Sequence, residues 1–419
     1  TGRGLAMVLA LLSAAIIWNF ATWYRGLPAS SSHALIGSIM GVGMMNAWME
    51  HGSLFKGLNW HKVTEVIVAL LMSPLIGFGL AAGLLIICKK LIRAKELYEP
   101  PHGDTPPPWW IRTLLIGTCT GVSFAHGSND GQKGMGLIML VLIGIVPATF
   151  ALNMQAPTEE ITQAVEAARA LEVELGKPEL ATMIDALRDQ HVASTRVERM
   201  TRSRSVAAAA AVEYDVVHDI VDPFEISDPV LATFNPLPLA QSVIASLDGK
   251  PDFEHLSPDD RWTVRTQLVE LGTSVRTLLR EFGDRMSEDR RNVLKGIAGK
   301  LSKPVEYVPE WVVMGVALCL GLGTMVGWKR IVVTVGEKIG KTHLSYAQGG
   351  VAELVAAGTI GLADGFGMPV STTHVLSSGV AGTMWANKSG IQGGTVREIA
   401  LAWILTLPAV ILLSALIYW

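Results

Sequence analysis

Two stretches of this 419-residue chain share one pattern: GLPASSSHALIGSIMG at residues 26–41 and GMPVSTTHVLSSGVAG at residues 367–382. Aligned without a gap, they have the proline and the histidine in common, and each of the three consecutive serines before the first histidine is matched by a Ser or Thr. Proline fixes φ at a helix start, and Ser or Thr side chains cap the free backbone N–H groups there. The repeat therefore predicts two matched helix N-termini in two structural halves of one fold.

Composition sets the fold class. Half of the residues are hydrophobic, and 44 of the 71 charged residues lie between residues 152 and 307. The remainder holds several apolar runs near the ~20 residues that cross a bilayer. The net charge of −3 does not favour a nucleic-acid partner. We predict an all-α polytopic membrane protein with inverted structural repeats, broken helices and a helical soluble insertion, arranged as transmembrane residues 1–151, insertion 152–307 and transmembrane residues 308–419.

Nine apolar segments are candidate membrane segments, some of them half-helices: Leu5–Tyr24, Pro28–Trp48, Val63–Cys88, Trp109–Ala125, Gly134–Ala151, Val308–Trp328, Ala347–Ala363, Pro369–Ala386 and Ile399–Trp419. In the insertion, helical spacing predicts helices over 159–175 and 179–191. Two more helices are predicted after the N-caps Ser257 and Ser287. The repeated prolines of 222–251 predict a loop.

Basic residues indicate the orientation. The basic run 89–95 and the insertion are separated by two apolar segments. Since cytoplasmic loops carry an excess of Lys and Arg, both are predicted to face the cytoplasm. The basic residues of 329–341 follow only one further segment. Either residues 308–328 do not fully cross, or residues 334–341 lie along an interface.

The repeat also predicts a ligand class. A helix N-terminus within the membrane offers unpaired N–H donors and the positive end of the helix dipole to an anion. Two such ends that converge would replace much of an oxyanion's hydration shell. The candidate hydroxyl ligands are Ser30, Ser31, Ser32, Ser371, Thr372 and Thr373. His33 and His374 either bind substrate, relay protons or orient the neighbouring loop. The alternative is that each hydroxyl run only caps a broken helix.

The run HGSNDGQKG at 126–134 is the second polar feature, and it separates two apolar segments. A charge at the bilayer centre costs at least ~2.5–3.5 kcal/mol, so Asp130 and Lys133 are functional candidates. The flanking glycines predict an unwound stretch whose carbonyls, with Asn129 and Asp130, coordinate a cation. Alternatively, the run is a short solvated loop outside the bilayer. Glu353 and Asp364 are further candidates at segment ends.

These stretches resemble the inorganic phosphate transporter (PiT) family, in its bacterial low-affinity branch. The resemblance covers the whole chain and includes GTMVGWKR at 323–330, GEKIGK at 336–341 and the terminal AWILTLPAVILLSALIYW at 402–419. It implies a membrane symporter of two inverted halves, each of which gives an Asn-Asp motif and a Pro-x-Ser-x-x-His motif to a central phosphate site. By this resemblance Asn129 binds phosphate and, with Asp130, couples the cation, while Lys133 is an accessory residue.

The family further implies phosphate import by alternating access in the inner (plasma) membrane. Protons are the coupling ion in the bacterial branch, Na⁺ in others, and phosphate travels as a complex with a divalent metal. The expected partners are phosphate, the lipid bilayer and, as an option, further copies of the chain; no bound cofactor is expected. Only one Asn-Asp motif occurs, and the chain begins at Thr1. We therefore expect an upstream N-terminal segment that carries the other.

Three other functions stay open. The chain could be a permease for another oxyanion such as sulfate, or a sensor with the insertion as its output domain. It could also be a membrane-embedded phosphoryl-transfer enzyme that uses Asp130 and His374. No separate nucleotide or metal motif accompanies that third possibility, so we predict that the chain is not an enzyme.

Overall fold

The structure, a computed structural model, describes residues 2–54, 60–101, 106–186, 236–365 and 370–419. These residues form helices and no β-strand, apart from one isolated bridge between Gly340 and Ile391. The all-α prediction is confirmed. The helices are α1 (Gly2–Tyr24), α2 (Ser31–His51), α3 (Trp60–Leu91), α4 (Trp109–Ile145), α5 (Pro147–Phe150), α6 (Thr158–Leu175), α7 (Pro236–Leu247), α8 (Pro258–Phe282), α9 (Glu288–Ser302), α10 (Glu310–Met325), α11 (Trp328–Glu337), α12 (Tyr346–Gly365), α13 (Thr372–Ala386) and α14 (Gly393–Tyr418).

The chain divides into two compact units. One unit combines residues 1–138 with 310–419, and the other comprises residues 139–309. We call them the membrane unit and the insertion unit, and each is described by itself.

Three helices of the membrane unit are long and apolar enough to cross a bilayer: α1, α3 from Ile67 onward, and α14. A fourth span results if α10 and α11, which meet at 64°, form one broken span. Within the described ranges no other helix meets both conditions, so most of the nine predicted segments form helices that are shorter or more polar. Large apolar side chains such as Leu71, Leu75, Ile404 and Leu412 point outward, as lipid-facing residues do.

Helix packing in the membrane unit is reciprocal. Two triplets of consecutive helices contain the repeated motif, α1–α2–α3 and α12–α13–α14. Helix α2 packs on α1 and on α14, whereas α13 packs on α12 and on α3. The third helix of each triplet therefore packs on the motif helix of the other. We call these two third helices, α3 and α14, the exchanged helices. Each carries an internal proline, Pro74 in α3 and Pro408 in α14.

The insertion unit is a four-helix bundle. Helices α6, α7, α8 and α9 pack in a ring around a core of mainly aliphatic side chains and two phenylalanines, Phe253 and Phe282. Ser257 caps α8 and Ser287 caps α9, as predicted. Residues 178–186 are helical too, and the rest of the helix predicted over 179–191 lies outside the described residues.

The loop predicted over residues 222–251 is wrong over residues 236–247 and confirmed over residues 248–251. Residues 236–247 form helix α7, which starts with Pro236 and has Pro238 in its first turn. The first turn of a helix needs no backbone N–H donors, so proline is tolerated there. Residues 222–235 lie outside the described residues.

Both connections of the insertion unit are held by arginines of α8. The Arg265 guanidinium donates through Nη1 to the carbonyl oxygens of Ala151, at 2.7 Å, and Val305, at 3.1 Å. Arg261 donates to the carbonyl of Ala148 at 2.8 Å. Burial lowers the pKa of Arg265 from its ordinary value, although a guanidinium stays charged at neutral pH. The entering and leaving segments are thus joined by one charged side chain.

Replacing Arg265 by methionine is expected to destabilise the bundle by about 2–3 kcal/mol. Two charge-assisted hydrogen bonds are lost, and two carbonyls lose their donor. Amide hydrogen exchange in α8 should become roughly 30-fold to 150-fold faster, because exchange of protected amides follows the opening free energy. The control is Arg276→Met on the same helix, where an exposed ion pair with Glu306 contributes about 0–1 kcal/mol. Equal exchange rates in the two variants would refute the role of Arg265.

Candidate functional site

Helices α2 and α13 begin as the repeat predicts. The Ser30 Oγ accepts a hydrogen bond from the backbone N–H of His33 at 3.3 Å. The Ser371 Oγ accepts one from the N–H of His374, also at 3.3 Å. The predicted capping of both helix starts is therefore confirmed. Pro369 of the second motif lies outside the described residues.

The two capped helix ends lie against each other. The imidazole rings of His33 and His374 have centroids 4.6 Å apart. The Thr373 hydroxyl lies 3.4 Å from the carbonyl oxygen of Ala29. Two helix N-termini that are 341 residues apart in the sequence thus meet in one place, where their dipoles both favour negative charge.

Trp403 of α14 covers this meeting point. Its ring lies 4.1 Å from the His374 ring, and its indole N–H donates to the Pro28 carbonyl at 3.0 Å. Sequence reasoning did not select this residue. A tryptophan inside an apolar span has no distinguishing local pattern, and only the packing of α14 on α2 brings it here.

A polar face of α4 joins the site. The Lys133 ammonium donates to the Ser32 hydroxyl of α2 at 2.7 Å and to the Asp130 carboxylate at 3.1 Å. It also donates to the amide oxygen of Asn129. The other Asp130 oxygen lies 3.0 Å from His126 Nε2. Lys133 therefore links the first hydroxyl motif to the Asn-Asp motif.

The predicted unwound stretch at 126–134 is wrong, as is its reading as a solvated loop between two helices. One continuous helix, α4, runs from Trp109 to Ile145 through the whole run. Its carbonyls belong to intrahelical hydrogen bonds, and cation ligands must come from side chains. Residues 126, 130 and 133 follow the i, i+4, i+7 spacing of one helix face. That spacing was visible in the sequence and signals a polar helix face rather than a break.

Two carboxylates of α12 face the same helix α4. Asp364 accepts from the Ser128 hydroxyl at 3.0 Å and from the Gln132 amide at 3.2 Å. Glu353 accepts from the Thr118 hydroxyl at 2.6 Å. Both carboxylates therefore have neutral donors, in contrast to Asp130, which is paired with Lys133.

The candidate site residues differ in how far they are buried. The buried ones are Ser30, Ser32, His33, Asn129, Ser371, Thr372 and His374. Ser31 is exposed and Thr373 is half-buried. The side chains of Asp130 and Lys133 are 19% and 26% exposed. The described residues contain no group of three or more His, Cys, Asp or Glu that could hold a metal ion.

Comparisons with known proteins indicate the family of the chain. The family model described as the phosphate transporter family matches residues 2–414. The low-affinity inorganic phosphate transporters PitB and PitA of Escherichia coli K12 are each 40% identical over all of this chain and 81% of their own length. A probable low-affinity inorganic phosphate transporter of Bacillus subtilis is 24% identical over 75% of its length. One solved structure, titled a sodium-dependent phosphate transporter, is 19% identical with a TM-score of 0.45. The match covers 100% of this chain and 79% of that one.

Membrane-length helices around a polar centre define the class, an α-helical integral membrane protein. Within that class, the chain belongs to the phosphate transporter family. The relatives are named as transporters, which is a non-enzymatic function, so the prediction that the chain is not an enzyme is confirmed.

Proposed function

We propose that the chain is a secondary active symporter that imports inorganic phosphate by alternating access. Phosphate is held where the N-termini of α2 and α13 meet. The single observation that carries this proposal is the contact of the two capped helix ends, with the His33 and His374 rings 4.6 Å apart. Helix N-termini are ready-made sites for oxyanions, and substrate sites of transporters commonly lie between structural repeats.

The capping serines remain competent as phosphate ligands. A hydroxyl has one donor and two acceptor positions. Ser30 and Ser371 use acceptor positions for the backbone N–H groups, and Ser32 uses one for Lys133. Each O–H is left to donate to a phosphate oxygen. Capping and substrate binding are therefore compatible at the same atom, and the remaining hydroxyl ligands are Ser31, Thr372 and Thr373, with the Asn129 amide beside them.

Coupling follows from the membrane potential. An anion that enters a negative-inside cell opposes about 2.3 kcal/mol per charge per 100 mV. Protons that move with phosphate, and a divalent metal carried in complex with it, offset this cost. Asp130 and Asn129 are the coupling groups, and the adjacent His33 and His374 are accessory. The reciprocal exchange of α3 and α14 supports two inverted halves that rock against each other.

We place the protein in the inner (plasma) membrane, with insertion 152–307 in the cytoplasm. The basic run at 89–95 and the charge-rich insertion support this orientation under the positive-inside rule.

Phosphate uptake tests the function directly. The gene is expressed in cells that lack their own phosphate carriers, and entry of radiolabelled phosphate is measured. We expect uptake that a protonophore abolishes, that excess sulfate does not reduce, and that falls when divalent metals are chelated. Competition by sulfate alone would instead identify a permease for that anion. Uptake that persists without a proton gradient would contradict proton coupling.

The site assignment is tested by Ser371→Ala combined with Thr372→Ala. Two hydrogen bonds to phosphate, each contributing about 0.5–1.5 kcal/mol, are lost, so the KM for phosphate should rise roughly 5-fold to 100-fold. The matched control is Ser378→Ala on the same helix, whose hydroxyl donates to the Val375 carbonyl of its own helix at 3.1 Å. An unchanged KM in the double variant would rule out these hydroxyls as ligands.

A further inference from the structure

The Lys133 ammonium is enclosed by oxygen atoms of two helices. Its three neighbours are the Ser32 hydroxyl at 2.7 Å, the Asp130 carboxylate at 3.1 Å and the Asn129 amide oxygen. An ammonium has three N–H donors and no acceptor. Each donor therefore has one acceptor here. Lys133 has no N–H left for phosphate in this arrangement, so its environment differs from that of a phosphate-binding lysine.

The same three oxygens form a ligand set for a small monovalent cation. A carboxylate, an amide carbonyl and a hydroxyl are hard oxygen ligands, the type that alkali and alkaline-earth ions take in proteins. The carboxylate supplies the one negative charge that balances a single positive charge. The set lies where the Asn-Asp motif meets the first hydroxyl motif, which is where a coupling cation would act on phosphate.

We propose that Lys133 is a built-in cation: its ammonium takes the position that a transported sodium ion would occupy, so that the chain needs no Na⁺ and couples to protons. This rests on the proposed phosphate symport, and it assigns Lys133 as the residue that determines ion specificity. The tethered charge is present beside Asp130 without any bound ion, whereas a diffusible ion would be there only when bound.

Two variants of Lys133 that remove the same charge distinguish a built-in cation from a phosphate ligand. Lys133→Ala removes the ammonium and leaves a space lined by the three oxygens. Lys133→Met removes the same charge and fills that space with a side chain of similar length. Of these two, the alanine variant alone has room for Na⁺. Lys133→Ser is a second variant with a small side chain that leaves the same space. It is used if Lys133→Ala does not accumulate in the membrane.

Phosphate uptake is compared in sodium chloride and in choline chloride at fixed pH. The wild-type rate should be the same in both salts. Lys133→Ala should be at least about tenfold faster in excess Na⁺ than in choline, since a site that is empty in choline is filled when the ion greatly exceeds its Kd. Lys133→Met should be slow in both. A raised KM for phosphate in both variants, without any response to Na⁺, would overturn the proposal and make Lys133 a phosphate ligand.

The unfolding temperature of the purified chain gives a readout that does not need transport. An ion that binds only the folded protein raises this temperature. Na⁺ and Li⁺ should stabilise Lys133→Ala relative to choline, and should leave the wild type and Lys133→Met unchanged. No stabilisation of the alanine or serine variant would refute the built-in cation. If wild type takes up no phosphate, the symport proposal fails, while the stabilisation by Na⁺ still decides whether Lys133 fills a cation site.

Discussion

Replacing Asp130 by asparagine should lower phosphate uptake by about a hundredfold. The carboxylate lies between Lys133, at 3.1 Å, and His126, at 3.0 Å. Removing one member of an ion pair leaves the other charge uncompensated, and for a fully buried pair this costs about 3–5 kcal/mol. We take the lower end because both side chains keep about a fifth or more of their surface exposed. About 3 kcal/mol corresponds to two orders of magnitude in affinity or rate.

The measurement is the initial rate of radiolabelled phosphate uptake, corrected for the amount of protein in the membrane. Asp364→Asn is the matched control. Among the described residues Asp364 accepts from the neutral donors Ser128 and Gln132, so its replacement strands no charge there and should cost less than about tenfold. Asp130→Glu keeps the charge and should retain more uptake than Asp130→Asn. Equal losses at positions 130 and 364 would show that the ion pair with Lys133 is not what matters.

The local parts of the fold were predictable from the sequence. The caps at Ser30, Ser371, Ser257 and Ser287 were each predicted from a hydroxyl residue before a helical run. A cap is decided within four residues, because the side chain bonds the N–H group two or three positions later. No long-range information is needed for such a feature.

The break predicted in α4 is absent because glycines alone do not interrupt a helix that is held by other contacts. A glycine in a helix costs only about 1 kcal/mol relative to alanine. Contacts of the polar face, from Lys133 to Ser32 and from Ser128 to Asp364, tie this helix to its neighbours and offset that cost. Those contacts are long-range, and a single sequence does not reveal them.

The site itself was predictable only as a set of residue types. The repeat indicated that residues 30–33 and 371–374 belong together, and the structure brings them into contact. The bonding of Lys133 and the cover by Trp403 depend on which helices pack against each other. The exchange of α3 and α14 between the two triplets determines that packing, and neither helix carries a local signal for it.

Valine in place of Gly41 or Gly382 should prevent the membrane unit from folding. The two glycines occupy equivalent positions of the repeated motif, and each lies at a crossing with an exchanged helix. A Cβ on Gly382 would lie 3.0 Å from the carbonyl carbon of Phe78 in α3, and one on Gly41 would lie 2.9 Å from that of Ile411 in α14. Small residues at such crossings let helix backbones approach closely.

At Gly382 the obstructing atoms are all backbone atoms of Phe78, and at Gly41 they are the Ser414 hydroxyl together with the Ile411 carbonyl. Because backbone blocks both positions, moving a side chain aside cannot make room for valine. The cost should exceed the ~1–3 kcal/mol of ordinary overpacking and take a large part of a total stability of about 5–15 kcal/mol. We expect little monodisperse protein in size-exclusion chromatography after detergent extraction. The control is Gly83→Val in α3, which meets open space. Similar yields from Gly382→Val and Gly83→Val would mean that helix propensity, rather than the close crossing of α13 and α3, decides the result. If only one of Gly41 and Gly382 tolerated valine, the two crossings would not be equivalent, and the reciprocal packing would lose its symmetry.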